Sequence, residues 1–189
     1  MRELITAGVD EVGRGCLAGP VVSAAVILKK GINLKLLKDS KKISFYKREE
    51  ISKHIKNNSY FAIGIASVEE ILNLNILQAS LLSMQRAIEK LEVKPRLTLI
   101  DGNFAPAGLK NCKTIINGDE KIKVISAASI IAKVYRDRFM IKLSEKYSNY
   151  AWERNFGYGT KAHLEGLKKF GVTSHHRKGF KPIHKILSS

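Results

Sequence analysis

Leu4-Ile5-Thr6-Ala7-Gly8-Val9-Asp10-Glu11-Val12-Gly13-Arg14-Gly15 runs through Cys16-Leu17-Ala18-Gly19 into Pro20-Val21-Val22-Ser23-Ala24-Ala25-Val26-Ile27-Leu28. The apolar segment Leu4–Val9 reads as a strand that ends on two adjacent carboxylates. Pro20–Leu28, rich in Val, Ile and Ala, reads as a second strand. The glycines between them match Gly-x-Gly-x-x-Ala, from Gly13 to Ala18, which is the phosphate loop of dinucleotide-binding folds. That loop has to open a helix whose N-terminus meets the pyrophosphate. Here another strand follows, and two acids ahead of the loop would repel a pyrophosphate. The stretch therefore sets aside a dinucleotide fold and begins a sheet with two hairpin-like strands.

Adjacent carboxylates repel unless a cation holds them, and a divalent metal is the usual one. A Gly-Arg-Gly turn lets backbone N–H groups come close to a phosphate or sugar and adds a guanidinium. Metal and phosphate contact within six residues points to nuclease chemistry.

The charge balance agrees. Against 17 Asp+Glu stand 33 Lys+Arg, a formal net charge of +16 over 189 residues. Such an excess favours polyanionic partners, nucleic acid above all. No acid follows Glu165, whereas Lys168, Lys169, Arg177, Lys178, Lys181 and Lys185 do, and a second basic stretch runs from Lys29 to Lys56. Two cysteines, Cys16 and Cys112, stand in unrelated contexts, which excludes a disulfide framework or a cysteine zinc site. No apolar run is long enough to cross a bilayer, and the N-terminus lacks a signal-peptide plan. The expectation is a cytoplasmic protein of one domain, residues 1–189, in which about 160–189 form a helical, basic extension.

Further along, Ser44 caps a predicted helix to about Asn57, with Glu49 and Glu50 early and Lys53 and Lys56 late. Tyr60–Ser67 alternates as a strand. Val68–Asn73 and Ile76–Leu91 read as helices, the second with a core stripe of Leu77, Leu81, Met84 and Ile88. Arg96–Ile100 is a strand ending at Asp101, and Lys113–Ile116 another, ending at Asn117-Gly118-Asp119. Val124 to about Lys146 is a long helix whose first half is small or apolar on nearly every side, hence buried against a sheet. Lys161–Phe170 is a helix closed by Gly171. This order gives an α/β domain with a mixed sheet.

Asp10, Glu11, Asp101 and Asp119 thus stand at three strand ends, where open α/β sheets form their ligand sites. Four oxygen ligands without histidine or cysteine select a hard cation, Mg²⁺ or Mn²⁺. Two such ions about 3.5–4 Å apart suit in-line displacement at phosphorus. Taken singly, Asp101-Gly102 is an ordinary turn, and Gly118-Asp119 a turn with a capping carboxylate. Asp39-Ser40-Lys41-Lys42 is either a solvated charge run or a phosphate clamp. Tyr158, held between Gly157 and Gly159, either stacks on a sugar or base or packs on the core. His175 and His176 read as a basic, flexible tail touching phosphate, not as metal ligands.

These residues together resemble ribonuclease HII, the bacterial type 2 ribonuclease H, over essentially the whole chain. The likeness is carried in order by Gly8–Gly15, by Leu17-Ala18-Gly19-Pro20-Val21-Val22, and by Asp39-Ser40-Lys41-Lys42. It continues through Ile100-Asp101-Gly102-Asn103, Gly118-Asp119, Ser126–Val134, Arg136-Asp137 and Gly157–His163. Many members have proline where this chain has Cys16, a change expected to leave the chemistry alone. The resemblance implies a ribonuclease H-like fold: a mixed five-stranded sheet flanked by helices, with a helical C-terminal region. It implies Asp10, Glu11, Asp101 and Asp119 as catalytic metal ligands for Mn²⁺ or Mg²⁺. Gly13, Arg14 and Gly15 would read a ribonucleotide 2′-hydroxyl, Tyr158 would stack on the next deoxyribose, and Lys41 and Lys42 would hold phosphates. Asp137 would stand behind the site, hydrogen-bonded there or paired with Lys133 or Arg138. The implied reaction is hydrolysis of RNA in RNA–DNA hybrids and on the 5′ side of ribonucleotides in duplex DNA, leaving 3′-hydroxyl and 5′-phosphate ends. The implied protein is a monomer with no membrane partner. The alternatives are a non-catalytic, basic nucleic-acid-binding protein whose acids are turn residues, and an enzyme of the same fold cutting DNA junctions.

Overall fold

The computed structural model describes residues 5–33, 37 and 44–188. Strands β1 (Thr6–Val12) and β2 (Val21–Leu28) come first, then helix α1 (Phe45–Asn57), strand β3 (Ser59–Ala66) and helices α2 (Val68–Leu74) and α3 (Ile76–Glu89). Strands β4 (Leu97–Asp101) and β5 (Cys112–Ile115) follow, then helices α4 (Gly118–Lys121) and α5 (Lys123–Lys146). A 3-10 turn at Ser148–Tyr150 leads to α6 (Trp152–Asn155), α7 (Lys161–Phe170) and α8 (Lys181–Leu187).

The sheet has five strands in the order β3-β2-β1-β4-β5. β1 and β3 flank β2 antiparallel, whereas β4 runs parallel to both β1 and β5. It is the mixed sheet that two hairpin strands followed by βα units require. Alternation along β1 puts Ala7 and Val9 into a core with Met84, Ala87 and Ile88 of α3. On the other face Ala24 and Val26 of β2 meet Ile51 and Ile55 of α1 and Ala127, Ile130 and Ile131 of α5. Gly8 and Asp10 lie on that second side by the same period of two.

The N-terminal strand is longer than expected. It does not stop at Val9 but carries Asp10 and Glu11 inside it, because β2 pairs with both, Asp10 opposite Ala24 and Glu11 opposite Ser23. α1 is capped by Ser44 as expected, but its first turn holds no acid. Glu49, in the second turn, instead pairs with Arg138 of α5 at 2.5 Å. The buried stripe of α3 is Ala79, Ser80, Ser83, Met84, Ala87 and Ile88, with Leu77 and Leu81 only half-buried. Small residues win that face because the helix lies close on the sheet, where the Ser23 and Ser83 hydroxyls hydrogen-bond at 2.5 Å. α5 is buried along its first half, as its composition requires.

The segment after Gly171 is not a loose basic tail. His176 pairs with Ala18 in an antiparallel bridge, Gly19 N–H donates to His175 O at 2.9 Å, and Arg177 N–H donates to Leu17 O at 2.8 Å. Ile183 joins Leu17, Met140, Trp152 and Leu167 in a third core cluster. Among the described residues no helix is long and apolar enough to cross a membrane.

Candidate active site

Strand order alone draws three acids together. β1 and β4 run parallel with Val9 beside Ile100, so Asp10 and Asp101 follow side by side at the same end of the sheet. Asp101 Oδ1 accepts a 2.6 Å hydrogen bond from the N–H of Gly118, which ties the end of β4 to the start of α4. Asp119 is therefore not on a strand end, as expected, but in the first turn of that short helix, behind a left-handed Asn117. Asp10, Glu11, Asp101 and Asp119 all line one cleft of about 350 Å³ with Arg48, Ser129, Lys133 and Tyr158.

Burial pushes the Asp10 carboxyl well above its ordinary range, and the neighbouring Glu11 and Asp101 push it further. A hydrogen bond from Ser129 and one from the Glu11 N–H, at 2.7 Å, oppose this. The Glu11 carboxyl is raised too, by burial, against the pull of Arg14 at 3.3 Å. A pocket in which carboxylates lift one another in this way is short of positive charge. Among the described residues no three His, Cys, Asp or Glu side chains are close enough to form a metal shell on their own. The all-oxygen donor set fits a hard cation that keeps water and takes substrate oxygens as its remaining ligands.

One wall of the cleft comes from α5. Lys133 Nζ donates to Asp137 Oδ1 at 2.8 Å, and the buried Asp137 also lies 3.7 Å from Arg48 Nη1. Asp137 thus pairs with Lys133 and not with Arg138; burial raises its carboxyl and Lys133 opposes that. Lys133 Nζ also sits 4.8 Å from the centre of the Phe156 ring and 5.9 Å from that of Tyr158. Ser129 and Arg48 were not singled out in the sequence, and Lys133 only as a partner for Asp137. Ser126, Ser129, Lys133 and Asp137 repeat at helical spacing on α5, whose first half is otherwise small or apolar, a polar stripe that could have revealed Ser129 and Lys133.

The loop from Gly13 to Pro20 follows β1 and lies beside Tyr158, which lines the cleft. Gly13 has φ of 94°, and a Cβ there would lie 2.2 Å from Arg136 Nε. A Cβ on Gly15 would be 3.9 Å from the Tyr158 ring, so the glycine loop lies next to the tyrosine at the edge of the cleft. Tyr158 is 41% exposed, which leaves the core-packing alternative aside. Cys16, in contrast, is fully buried. The Tyr158 hydroxyl is raised by burial and then by the Cys16 thiol beside it. Lys41 and Lys42 fall outside the described residues, as do Asp39 and Ser40.

Behind Tyr158 lies a closed polar network. His163 Nδ1 donates to Tyr158 O at 2.9 Å, which leaves its Nε2 as an acceptor for Trp152 Nε1 at 3.1 Å. His176 Nδ1 accepts from the Thr173 N–H at 3.0 Å, so its own Nε2 carries the proton and donates to His163 Nε2 at 3.0 Å. Burial holds both imidazoles neutral and takes His176 down to about 3. These histidines shape the tyrosine loop.

The family model described as Ribonuclease HII matches residues 7–185. A ribonuclease HII of Pelagibacter ubique is 60% identical over 185 residues, covering 97% of this chain and 99% of that protein. One of Ruegeria pomeroyi is 52% identical over 182 residues, covering 96% of this chain and 78% of that protein. The crystal structure of ribonuclease H2 from Pyrococcus horikoshii superposes with a TM-score of 0.81 at 28% identity, covering 97% of each chain. The chain belongs to the ribonuclease HII family, endonucleases that hydrolyse RNA in RNA–DNA hybrids.

Proposed function

We infer that the cleft cuts the phosphodiester on the 5′ side of a ribonucleotide, both in RNA–DNA hybrids and where a single ribonucleotide is embedded in duplex DNA. The convergence of Asp10, Glu11, Asp101 and Asp119 in one cleft carries this reading. The family depends on divalent metal. The donor set favours Mg²⁺ or Mn²⁺, which when bound neutralises the phosphate and lowers the pKa of the attacking water. Asp10 and Asp101, adjacent on neighbouring strands, suit a shared ligand position, and Glu11 and Asp119 flank them. Ser129 orients Asp10. Lys133, fixed by Asp137, presents its ammonium to the phosphate as it enters.

The glycine loop supplies specificity. Among the described residues the N–H groups of Arg14 and Gly15 have no hydrogen-bond partner in the protein. They are open to a ribose 2′-hydroxyl, the group that separates RNA from DNA. Tyr158, next to the loop, suits stacking on the following deoxyribose. Family membership argues against the non-catalytic alternative. An all-DNA junction substrate tests the remaining one.

Asp10→Asn is the direct test. Cleavage of a duplex carrying one ribonucleotide should fall by more than about a hundredfold, because a charged ligand is lost from the reacting centre. Binding of the same duplex, measured by anisotropy, should keep its affinity and salt dependence. Cleavage that survives the substitution in Mg²⁺ or Mn²⁺ refutes the four-acid mechanism.

A further inference from the structure

Two arginines lie wholly inside the protein beneath the glycine loop, Arg136 at 0% and Arg177 at 1% exposure. Arg136 donates from Nε to Pro20 O at 2.9 Å, from Nη2 to Ala18 O at 2.9 Å and from Nη1 to Phe156 O at 2.8 Å. Arg177 donates from Nε to Gly19 O at 2.9 Å, from Nη2 to Pro20 O at 3.2 Å and from Nη1 to Arg14 O at 2.9 Å. Among the described residues every one of these bonds ends on a main-chain carbonyl and none on a carboxylate. A buried guanidinium with no carboxylate in hydrogen-bond contact is expensive to keep. Two of them under one loop, holding its carbonyls from below, call for a reason beyond filling space.

The reason lies on the other side of the same peptides. In the Arg14–Gly15 peptide the carbonyl turns inward to Arg177 and the N–H turns outward, whereas the N–H groups of Cys16, Leu17 and Gly19 stay bonded within the protein. The carbonyl of Arg14 shares a peptide unit with the N–H of Gly15. A cation hydrogen-bonded to that carbonyl polarises the unit and strengthens the N–H as a donor. Gly13 completes the arrangement, since any side chain there would displace the Arg136 guanidinium.

We propose that Arg136 and Arg177 are positioning residues for ribonucleotide recognition: together they set the outward face of the Gly13–Pro20 loop, and Arg177 sharpens the Gly15 N–H toward the ribose hydroxyl. The proposal rests on the loop reading the 2′-hydroxyl. Arg177 remains cationic at neutral pH, its pKa taken down by burial only to about 10.

The test compares affinity for duplex DNA carrying one ribonucleotide with affinity for its all-DNA counterpart, alongside kcat and KM in Mn²⁺. Arg177→Lys keeps the charge but loses the fork; Arg177→Gln keeps one donor but loses the charge. Each should reduce the wild-type preference for the ribonucleotide duplex about tenfold, the scale of one charge-assisted hydrogen bond. All-DNA binding, per folded molecule, should change less than about twofold in the same variants, since phosphate contacts elsewhere are untouched. Added guanidinium ion should restore the preference in Arg177→Ala. A preference that stays at the wild-type value, or affinity for both duplexes falling together, overturns the proposal, because a merely structural arginine would do that. A wild-type protein with no preference overturns instead the reading of the loop on which the proposal stands.

Discussion

Tyr158 is held by its main chain and free at its ring. Its carbonyl accepts from a neutral histidine, while the ring stands exposed next to Gly15. Under the stacking role proposed for it, the ring acts on one nucleotide step. Base or sugar stacking on an aromatic is worth about 1–3 kcal/mol, so Tyr158→Ala should lower cleavage at a single embedded ribonucleotide by about five- to a hundredfold. On a uniform RNA–DNA hybrid, which offers many registers and no deoxyribose step, the loss should be smaller. Equal losses in the two assays would remove the tyrosine from junction recognition. Residues like Asp10 and Glu11 were legible in the sequence because their chemistry is local: two carboxylates on an apolar strand cannot be neutral in meaning. Arg136 and Arg177 were not, because their partners are carbonyls far along the chain, and carbonyls leave no mark in a sequence. Arg177 was counted with the basic tail, although it is buried.

At the scale of elements, the approach of α5 to β1 sets the cleft. A Cβ on Gly8 would fall 2.3 Å from the carbonyl group of Val124 and 2.5 Å from Ile125 N. The first turn of the helix therefore rests directly on the strand backbone, two residues before Asp10, and Ser129 one turn later can reach that carboxyl. Gly8→Ala should push α5 off the strand at a cost of about 1–3 kcal/mol. It should also weaken Mn²⁺ binding, measured by calorimetry, more than a core substitution of equal cost does. Unchanged Mn²⁺ affinity would separate the helix approach from the site. The five strands and the helices α1, α2, α3, α5 and α7 were readable in order and kind from alternation and caps, whereas the short helices α4, α6 and α8 were not. Ser67 and Glu70 even form the reciprocal cap that their spacing suggests, at 3.1 and 2.8 Å. What could not be read was where β1 ends, because pairing with β2 is a tertiary event, and that Asp119 rides on a helix, because α4 is only four residues long.

At the scale of the whole molecule, acid sensitivity follows from the neutral histidines. His176 takes up a proton only near pH 3 in the folded chain, against its ordinary 6.5. Above pH 6.5 neither form of the chain is charged there. Below it the unfolded chain gains a proton that the folded one refuses, so stability falls as pH drops from about 6.5 toward 3. This one group contributes up to about 1.4 kcal/mol per pH unit. The raised carboxyls of Asp10, Glu11 and Asp137 act in the opposite sense, since the folded form holds their protons more tightly. Thermal melting of wild type against His176→Gln isolates the histidine: the variant should lose less stability between pH 7 and 5, and parallel curves would exclude it. The same region also ties distant parts of the sequence together. The loop after β1 is floored by Arg177 and bonded to Gly157 and His175, so its shape depends on residues far along the chain. A truncated chain that stops before Arg177 keeps all four acids but lacks that floor. Under the loop reading proposed above, such a truncation should lose the preference for ribonucleotide duplexes before it loses metal binding.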